Sequence, residues 1–468
     1  MSSPAAEVSI ESALPGNLSH LGDERKLTRM VLGIAWPAIL ENSMHTLLGI
    51  VDTILVARLG TDAIAGVGAG AQWMFMFFSV VFGLSMGSVV VVARAIGGGD
   101  VAVANRAARQ SLLIGLAAGL AFTVLGAWLA EPAIAMLGAD SSVTGIGAEY
   151  LRIISYGGVF TALAIMSSAL LRASGDTRTP MYATAVANVI NAGCAYVLIF
   201  GHLGLPALGV GGSAWALNIA RVVAIAIIWW AMMRGKILRL SFDGAWRPIA
   251  SVIRQMLAFG APSVAEQILL MASFMAYAAI TFNLGTVAFA AQRLTFNAIT
   301  ISFMPAFGFA IAATTLTGQA LGARRPDLAD RTTWTATRLA AMWMGAMGVV
   351  YALAAEPLLR VFSDDPAILA EGVPALLVIG IASPLLAVPF VLSGSLRGAG
   401  DTRFPLIISF VTGWLIRVPV GYVAGITLGL GLWGIYVGIL GDAAVGGAMA
   451  VWRYRRGGWR EVKVALHR

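Results

Sequence analysis

LRASGDTRTP at residues 171–180 returns as LRGAGDTRFP at residues 396–405, an offset of 225 residues. The same offset relates Pro37 and Glu41 to Pro262 and Glu266, Leu59-Gly60-Thr61 to Leu284-Gly285-Thr286, Gly97 to Gly322, and Glu131-Pro132 to Glu356-Pro357. A single offset held over so long a stretch marks a duplication rather than a shared composition. Hydrophobic residues make up 59% of the chain and charged residues 12%, against about 25% charged in a soluble domain. The chain therefore reads as two homologous, largely apolar halves, a common build of secondary transporters.

Twelve apolar stretches are long enough to cross a hydrocarbon core of about 30 Å. They fall near 31–57, 64–93, 108–130, 146–171, 180–201, 209–233, 253–281, 287–317, 335–355, 370–396, 405–427 and 432–452. The expected fold is an all-α polytopic membrane protein, with two six-helix lobes around a central cleft. Six spans per half is an even number, so both halves enter the membrane from the same side and form parallel repeats. The expected layout is a disordered cytoplasmic tail over 1–24, an N-lobe over 25–233, a cytoplasmic linker over 234–250, a C-lobe over 251–455 and a basic cytoplasmic tail over 456–468. Residues 1–24 contain no apolar run of the kind a secretory signal needs. The lone Cys194 excludes a disulfide within the chain.

A net charge of +8 raises the question of nucleic acid, and the distribution of charge answers it. With both termini in the cytoplasm, 25 of the 31 Lys and Arg residues fall on cytoplasmic segments, while the outer loops carry Asp62, Glu131, Asp140, Glu149, Glu356, Asp364, Asp365 and Glu371. This is the positive-inside pattern. The expected location is the plasma (inner) membrane, with both termini cytoplasmic, anionic lipid as a contact and no nucleic acid partner.

The repeated GDTR segment joins span four to span five in one half and span ten to span eleven in the other. Gly175 and Gly400 can turn the chain. Asp176-Thr177 and Asp401-Thr402 can cap the following helix, and Pro180 and Pro405 suit its first turn. Arg172, Arg178, Arg397 and Arg403 are expected to pin the loop at the lipid headgroups.

Ionisable groups inside spans are costly and point to function. Span one carries Glu41, His45 and Asp52, which fall near one helix face. Glu41 and Asp52 are separated by about three turns, about 16 Å. Span seven carries Glu266, the repeat mate of Glu41, and the two are expected to face each other across the cleft. Asp52 has Tyr277 as its repeat mate, so this acid serves one half only. A carboxylate withdrawn from water can hold a proton in one state and release it in another, or coordinate sodium. Arg293, after Gln292 in span eight, is expected to pair with Glu266 or another acid, and Arg417 with Asp442. Aromatic residues in spans two and eight include Trp73, Phe75, Phe289 and Phe296, and most are expected to face lipid.

LRASGDTRTP and LRGAGDTRFP, together with WPAILE…VDT in span one and TLTGQALGA after span eight, resemble the multidrug and toxic compound extrusion (MATE) transporters. The resemblance covers about residues 25–455. It implies twelve helices in two lobes and export of mostly cationic, amphipathic small molecules, driven by inward flow of protons or sodium. It places cation coupling at the span-one acid, hence Asp52, with Asn188 and Asn191 of span five nearby; Glu41 joins this group on its own position in span one, as a carboxylate able to bind protons. The substrate cavity is then expected to draw on Glu41, His45, Glu266, Tyr277, Gln292 and Arg293. Two departures bear on the ion. Some proton-coupled members have an aspartate where this chain has Ala195. The sodium-coupled branch has acids at Leu270 and in mid-span ten, where residues 373–395 hold none. Coupling through Asp52, by protons rather than sodium, is the expectation, with no cofactor, no firm metal site and a single chain sufficient for function. A lipid-linked saccharide flippase of the same superfamily is the first alternative, and a non-transporting membrane receptor or scaffold the second. No H-E-x-x-H, Walker loop or nucleophile elbow is present, so an enzyme is not expected.

Overall fold

The computed structural model describes residues 24–138, 140–235, 237–239, 246–462 and 464. The tail expected over 1–24, apart from Glu24, lies outside these residues, as do parts of the expected linker and C-terminal tail. The described chain is helical throughout, with no strand among the described residues. The helices are α1 (Glu24–Ala57), α2 (Thr61–Gly97), α3 (Val101–Ala135), α4 (Ser141–Tyr156), α5 (Gly158–Ala173), α6 (Arg178–Phe200) and α7 (Gly209–Arg234). They continue as α8 (Ala250–Phe282), α9 (Thr286–Gly322), α10 (Pro326–Arg360), α11 (Pro366–Ala399), α12 (Arg403–Thr427) and α13 (Gly431–Arg455). Ten of these pass singly as membrane spans, and two bent segments bring the number to twelve. The protein is an all-α polytopic membrane protein.

The bends have local causes. α4 and α5 form one span bent by 55° at Gly157. Asn218 of α7 fills the break, donating from Nδ2 to the Ile153 carbonyl at 2.7 Å, and Thr123 donates to the Ser155 carbonyl at 2.8 Å. These side chains satisfy carbonyls that the interrupted helix leaves open. A Cβ on Gly157 would overlap the Asn218 amide, so a side chain at 157 would expel it. α9 bends by 46° four residues ahead of Pro305, where a proline removes one helix hydrogen bond and crowds the preceding turn. α12 widens into π-helical turns at Val411–Arg417 and Val423–Thr427, on either side of Pro419.

The two GDTR segments are built alike. Gly175 and Gly400 adopt φ of 94° and 91°, a region that costs other residues energy. The following amides return to the helix, Asp176 N to Leu171 O at 3.0 Å and Asp401 N to Leu396 O at 2.9 Å, closing the ends of α5 and α11. Asp176 then caps α6, accepting from the amides of Arg178 and Thr179 at 3.1 and 3.0 Å. Asp401 departs from this expectation: it takes Arg453 Nε at 2.8 Å and leaves α12 without a side-chain cap.

The chain forms two compact units. One comprises 40–92 and 100–260, and the other comprises 24–39, 93–99 and 261–464. The units differ from the sequence halves: α1 and α8 each change unit within three residues of Pro37 and Pro262. In the second unit the ends of α2 and α9 cross at repeat-related glycines. A Cβ at Gly97 would overlap the Gln319 carbonyl, and one at Gly322 the Arg94 carbonyl. Arg94 fastens this crossing, donating to Ala399 O and Val462 O at 2.8 Å each. Trp459, fully buried, stacks on Tyr454 at 4.8 Å and donates to its carbonyl.

Candidate functional site

In the first unit Asp52 of α1 is 8% exposed, and its Oδ1 accepts from the Ser213 hydroxyl of α7 at 2.6 Å. Ser213 lies in the first turn and a half of α7, where Gly209, Gly211 and Gly212 add no bulk around it. α6 runs alongside α1. Asn188 donates to the Met44 carbonyl at 2.7 Å, and farther along Leu55 packs on the cluster of Ala195, Ile199 and Ala216. Asn191 lies between these levels. It is fully buried, and neither its Oδ1 nor its Nδ2 has a hydrogen-bond partner among the described residues. Burying an amide unpaired is costly. Tyr150 of α4 is also buried.

Each of the repeat-related glutamates is paired within its own unit. Arg172 Nη1 donates to both Glu41 oxygens at 2.9 and 3.0 Å. In the second unit Arg397 Nη1 approaches Glu266 Oε1 at 3.6 Å, with Ser409 Oγ at 3.5 Å from the same oxygen. Arg172 and Arg397 are repeat mates, so the duplication carries a whole ion pair. This corrects two expectations. The first arginine of each LRxxGDTR segment holds its own half's glutamate rather than the lipid headgroups. Glu266 also takes Arg397 rather than Arg293. Arg293 is exposed and makes no ion pair among the described residues. With Glu41 and Glu266 both paired, Asp52 is the acid of the three that meets a hydroxyl instead of a cation.

The remaining residues have local surroundings of their own. His45 is exposed. Tyr277 sits in a core cluster with Ile299 and Tyr351 and meets Tyr436 edge-on at 6.1 Å. Gln292 is buried and donates to the Thr281 hydroxyl at 2.8 Å. Arg417 and Asp442 form the expected pair at 3.0 Å, and the Arg417 guanidinium also lies over the Phe274 ring at 4.3 Å. Among the described residues no group of three His, Cys, Asp or Glu is placed to hold a metal ion. Ser213 was not singled out in the sequence. Its only sequence signal is a hydroxyl within a glycine-rich helix start, which is common in membrane helices.

A duplicated helical fold of up to twelve membrane spans, with a buried, hydroxyl-bound carboxylate in the first unit, defines the protein as a polytopic membrane protein. The comparisons give its family. The MatE family model matches residues 37–197 and 262–423, two segments that begin at repeat-related prolines. A probable multidrug resistance protein NorM of Thermotoga maritima is 30% identical over 437 residues, 93% of this chain and 94% of the relative. A probable NorM of Rhodopseudomonas palustris is 30% identical over 467 residues, 97% of each chain. A solved outward-facing structure of a multidrug resistance MATE family transporter matches the fold with a TM-score of 0.86 at 22% identity, covering 94% of this chain and 98% of that one. A MOP superfamily transporter from Pyrococcus furiosus matches with the same score at 23% identity, over the same shares. The chain belongs to the MatE family, and it is a membrane transporter and not an enzyme.

Proposed function

We propose that the protein is a secondary active multidrug exporter, moving amphipathic, mostly cationic small molecules outward in antiport with protons by alternating access. The observation that carries this reading is the buried Asp52 carboxylate, held by the Ser213 hydroxyl with no cation paired to it among the described residues. A carboxylate so placed is costly as a bare charge and gains by taking up a proton or a cation. Asp52, Asn188 and Asn191 form the coupling group, with Ser213 fixing the orientation of Asp52. Asn191, with neither amide atom hydrogen-bonded among the described residues, supplies a ready partner to whatever ion or group enters. Glu41 belongs to this group as an anchor for α1 through Arg172. His45, Glu266, Tyr277, Gln292 and Arg293 remain the proposed contributors to substrate contact. His45 and Arg293 do so from exposed positions, and Glu266, Tyr277 and Gln292 only after the buried packing around them rearranges. The plasma membrane, cytoplasmic termini and function as a single chain complete the proposal, on the strength of the positive-inside pattern.

The test is flux of a fluorescent cationic dye in proteoliposomes under an imposed proton gradient, and separately under a sodium gradient. Dye movement driven by the proton gradient supports the proposal. Movement driven only by sodium keeps the exporter and changes the ion. No movement under either gradient, in protein with an unaltered melting profile, refutes it in favour of the lipid-linked saccharide cargo.

A further inference from the structure

A groove of about 730 Å³ runs along the second unit between α11 and α13. Its floor is apolar and shallow-sided because small residues of α13 leave room. Ala444, Gly447 and Ala448 lie opposite Leu385 and Val388 of α11. A Cβ on Gly447 would meet its neighbours only at 3.8 Å and beyond, at Pro389, Val388 and the Leu385 carbonyl. The groove is therefore an unfilled recess, not a tight helix contact. One end is different in kind. Trp452, Arg455 and Arg456 line it, and the Arg456 guanidinium lies over the Trp452 ring at 4.2 Å.

Arg453, next in sequence, is held by Asp401 at 2.8 Å. Arg455 and Arg456 are exposed and make no ion pair among the described residues. Two positive charges thus stand at the mouth of an apolar trough, with no acid among the described residues paired to them. From Ala443 to Arg455 the trough follows α13 for about 18 Å at 1.5 Å per residue. One leaflet of hydrocarbon is about 15 Å deep, half of a 30 Å core. The tryptophan and the two arginines fall where the apolar floor ends, which is where such residues meet the interface. Length, polarity and charge all match one molecule with a single-leaflet acyl chain and an anionic head.

We propose that this groove is a binding site for an anionic phospholipid. The acyl chain lies along Ala444, Gly447, Ala448, Leu385 and Val388, and the phosphate sits at Arg455 and Arg456. The site is independent of Asp52 and of the transported compound, so its failure would leave the functional reading above untouched.

The test uses full-length, delipidated protein titrated with dioleoylphosphatidylglycerol or dioleoylphosphatidylcholine and read by native mass spectrometry. The wild type is expected to retain one phosphatidylglycerol selectively. Arg455→Gln with Arg456→Gln should weaken it roughly 30-fold, the sum of two arginines acting on an anionic head, without changing phosphatidylcholine retention. Ala448→Leu fills the groove and should release the lipid while leaving both arginines in place. All three positions are on the surface, and a thermal melt of each variant confirms its fold. Equal retention of phosphatidylglycerol by wild type and both variants would overturn the proposal. So would equal retention of the two lipids by the wild type, or displacement of phosphatidylglycerol by inorganic phosphate.

Discussion

Replacing Glu41 by Gln is the sharpest test of the duplicated ion pair. Glu41 is 4% exposed, and the Arg172 side chain 13%, so neither charge can turn to bulk water when its partner is lost. Breaking a buried pair from one side costs about 3–5 kcal/mol, because the remaining charge stays desolvated. Glu41→Gln and Arg172→Leu should each lower stability by that order. The double variant Glu41→Gln with Arg172→Leu leaves no buried charge, and should recover most of the loss. The double loss is then smaller than either single loss, so the cycle returns a coupling of about 3 kcal/mol or more between the two positions. Glu266 and Arg397 give an internal comparison. Their closest approach is 3.6 Å against 2.9 Å, so direct attraction is about a fifth weaker. The first pair also has two directed hydrogen bonds from one guanidinium nitrogen. The second cycle should therefore return a smaller coupling than the first. The assay is thermal unfolding of the purified protein in one detergent, at one scan rate, since such unfolding is often irreversible and rate-dependent. Strict additivity of the two single losses in the Glu41 cycle would refute the pair.

Three further outcomes follow from the packing. Gly97→Val forces a side chain onto the Gln319 carbonyl. It should cost at least the roughly 1–3 kcal/mol of ordinary overpacking, whereas Gly33→Ala, with open space at its Cβ, should be neutral or stabilising by up to about 1 kcal/mol; melting both variants checks the contrast. Trp459→Ala empties a fully buried site and should cost about 3–5 kcal/mol, with amide exchange near Val462 rising as the Arg94 tie loosens. Asn191→Leu removes an unpartnered buried amide, so it should leave stability unchanged or raise it by about 1–3 kcal/mol. Proton-driven flux should nevertheless be lost, and a variant that is both stable and fully active would remove Asn191 from the coupling group.

The repeat, the span count and the Arg417–Asp442 pair were legible because sequence spacing and hydrophobic length determine them directly. The bend at Gly157 was not. The residues from 146 to 171 read as one unbroken apolar span, and the group that stabilises the break, Asn218, belongs to a helix far along the chain. The two GDTR segments show the same limit in miniature. Asp176 and Asp401 occupy identical sequence contexts, yet one caps a helix and the other meets Arg453, because a tertiary cation is within reach in only one half. For the site, the acids of α1 stood out by the cost of placing charge in a membrane. Their partners did not. Arg172 lies 131 residues from Glu41, and a helix-end arginine is equally well explained by lipid headgroups until its neighbour is seen. Ser213 was hidden for the opposite reason: a lone hydroxyl in an apolar helix is too common to stand out.

The central claim is that Asp52 exchanges a proton each time the transporter carries its cargo. Its direct test is proton movement measured with a trapped pH dye in proteoliposomes when cationic substrate is added, for the wild type and Asp52→Asn. The account predicts substrate-triggered proton flux in the wild type. In the variant that flux should be absent while the substrate still equilibrates down its own gradient. Proton flux persisting in Asp52→Asn at the wild-type rate would contradict it.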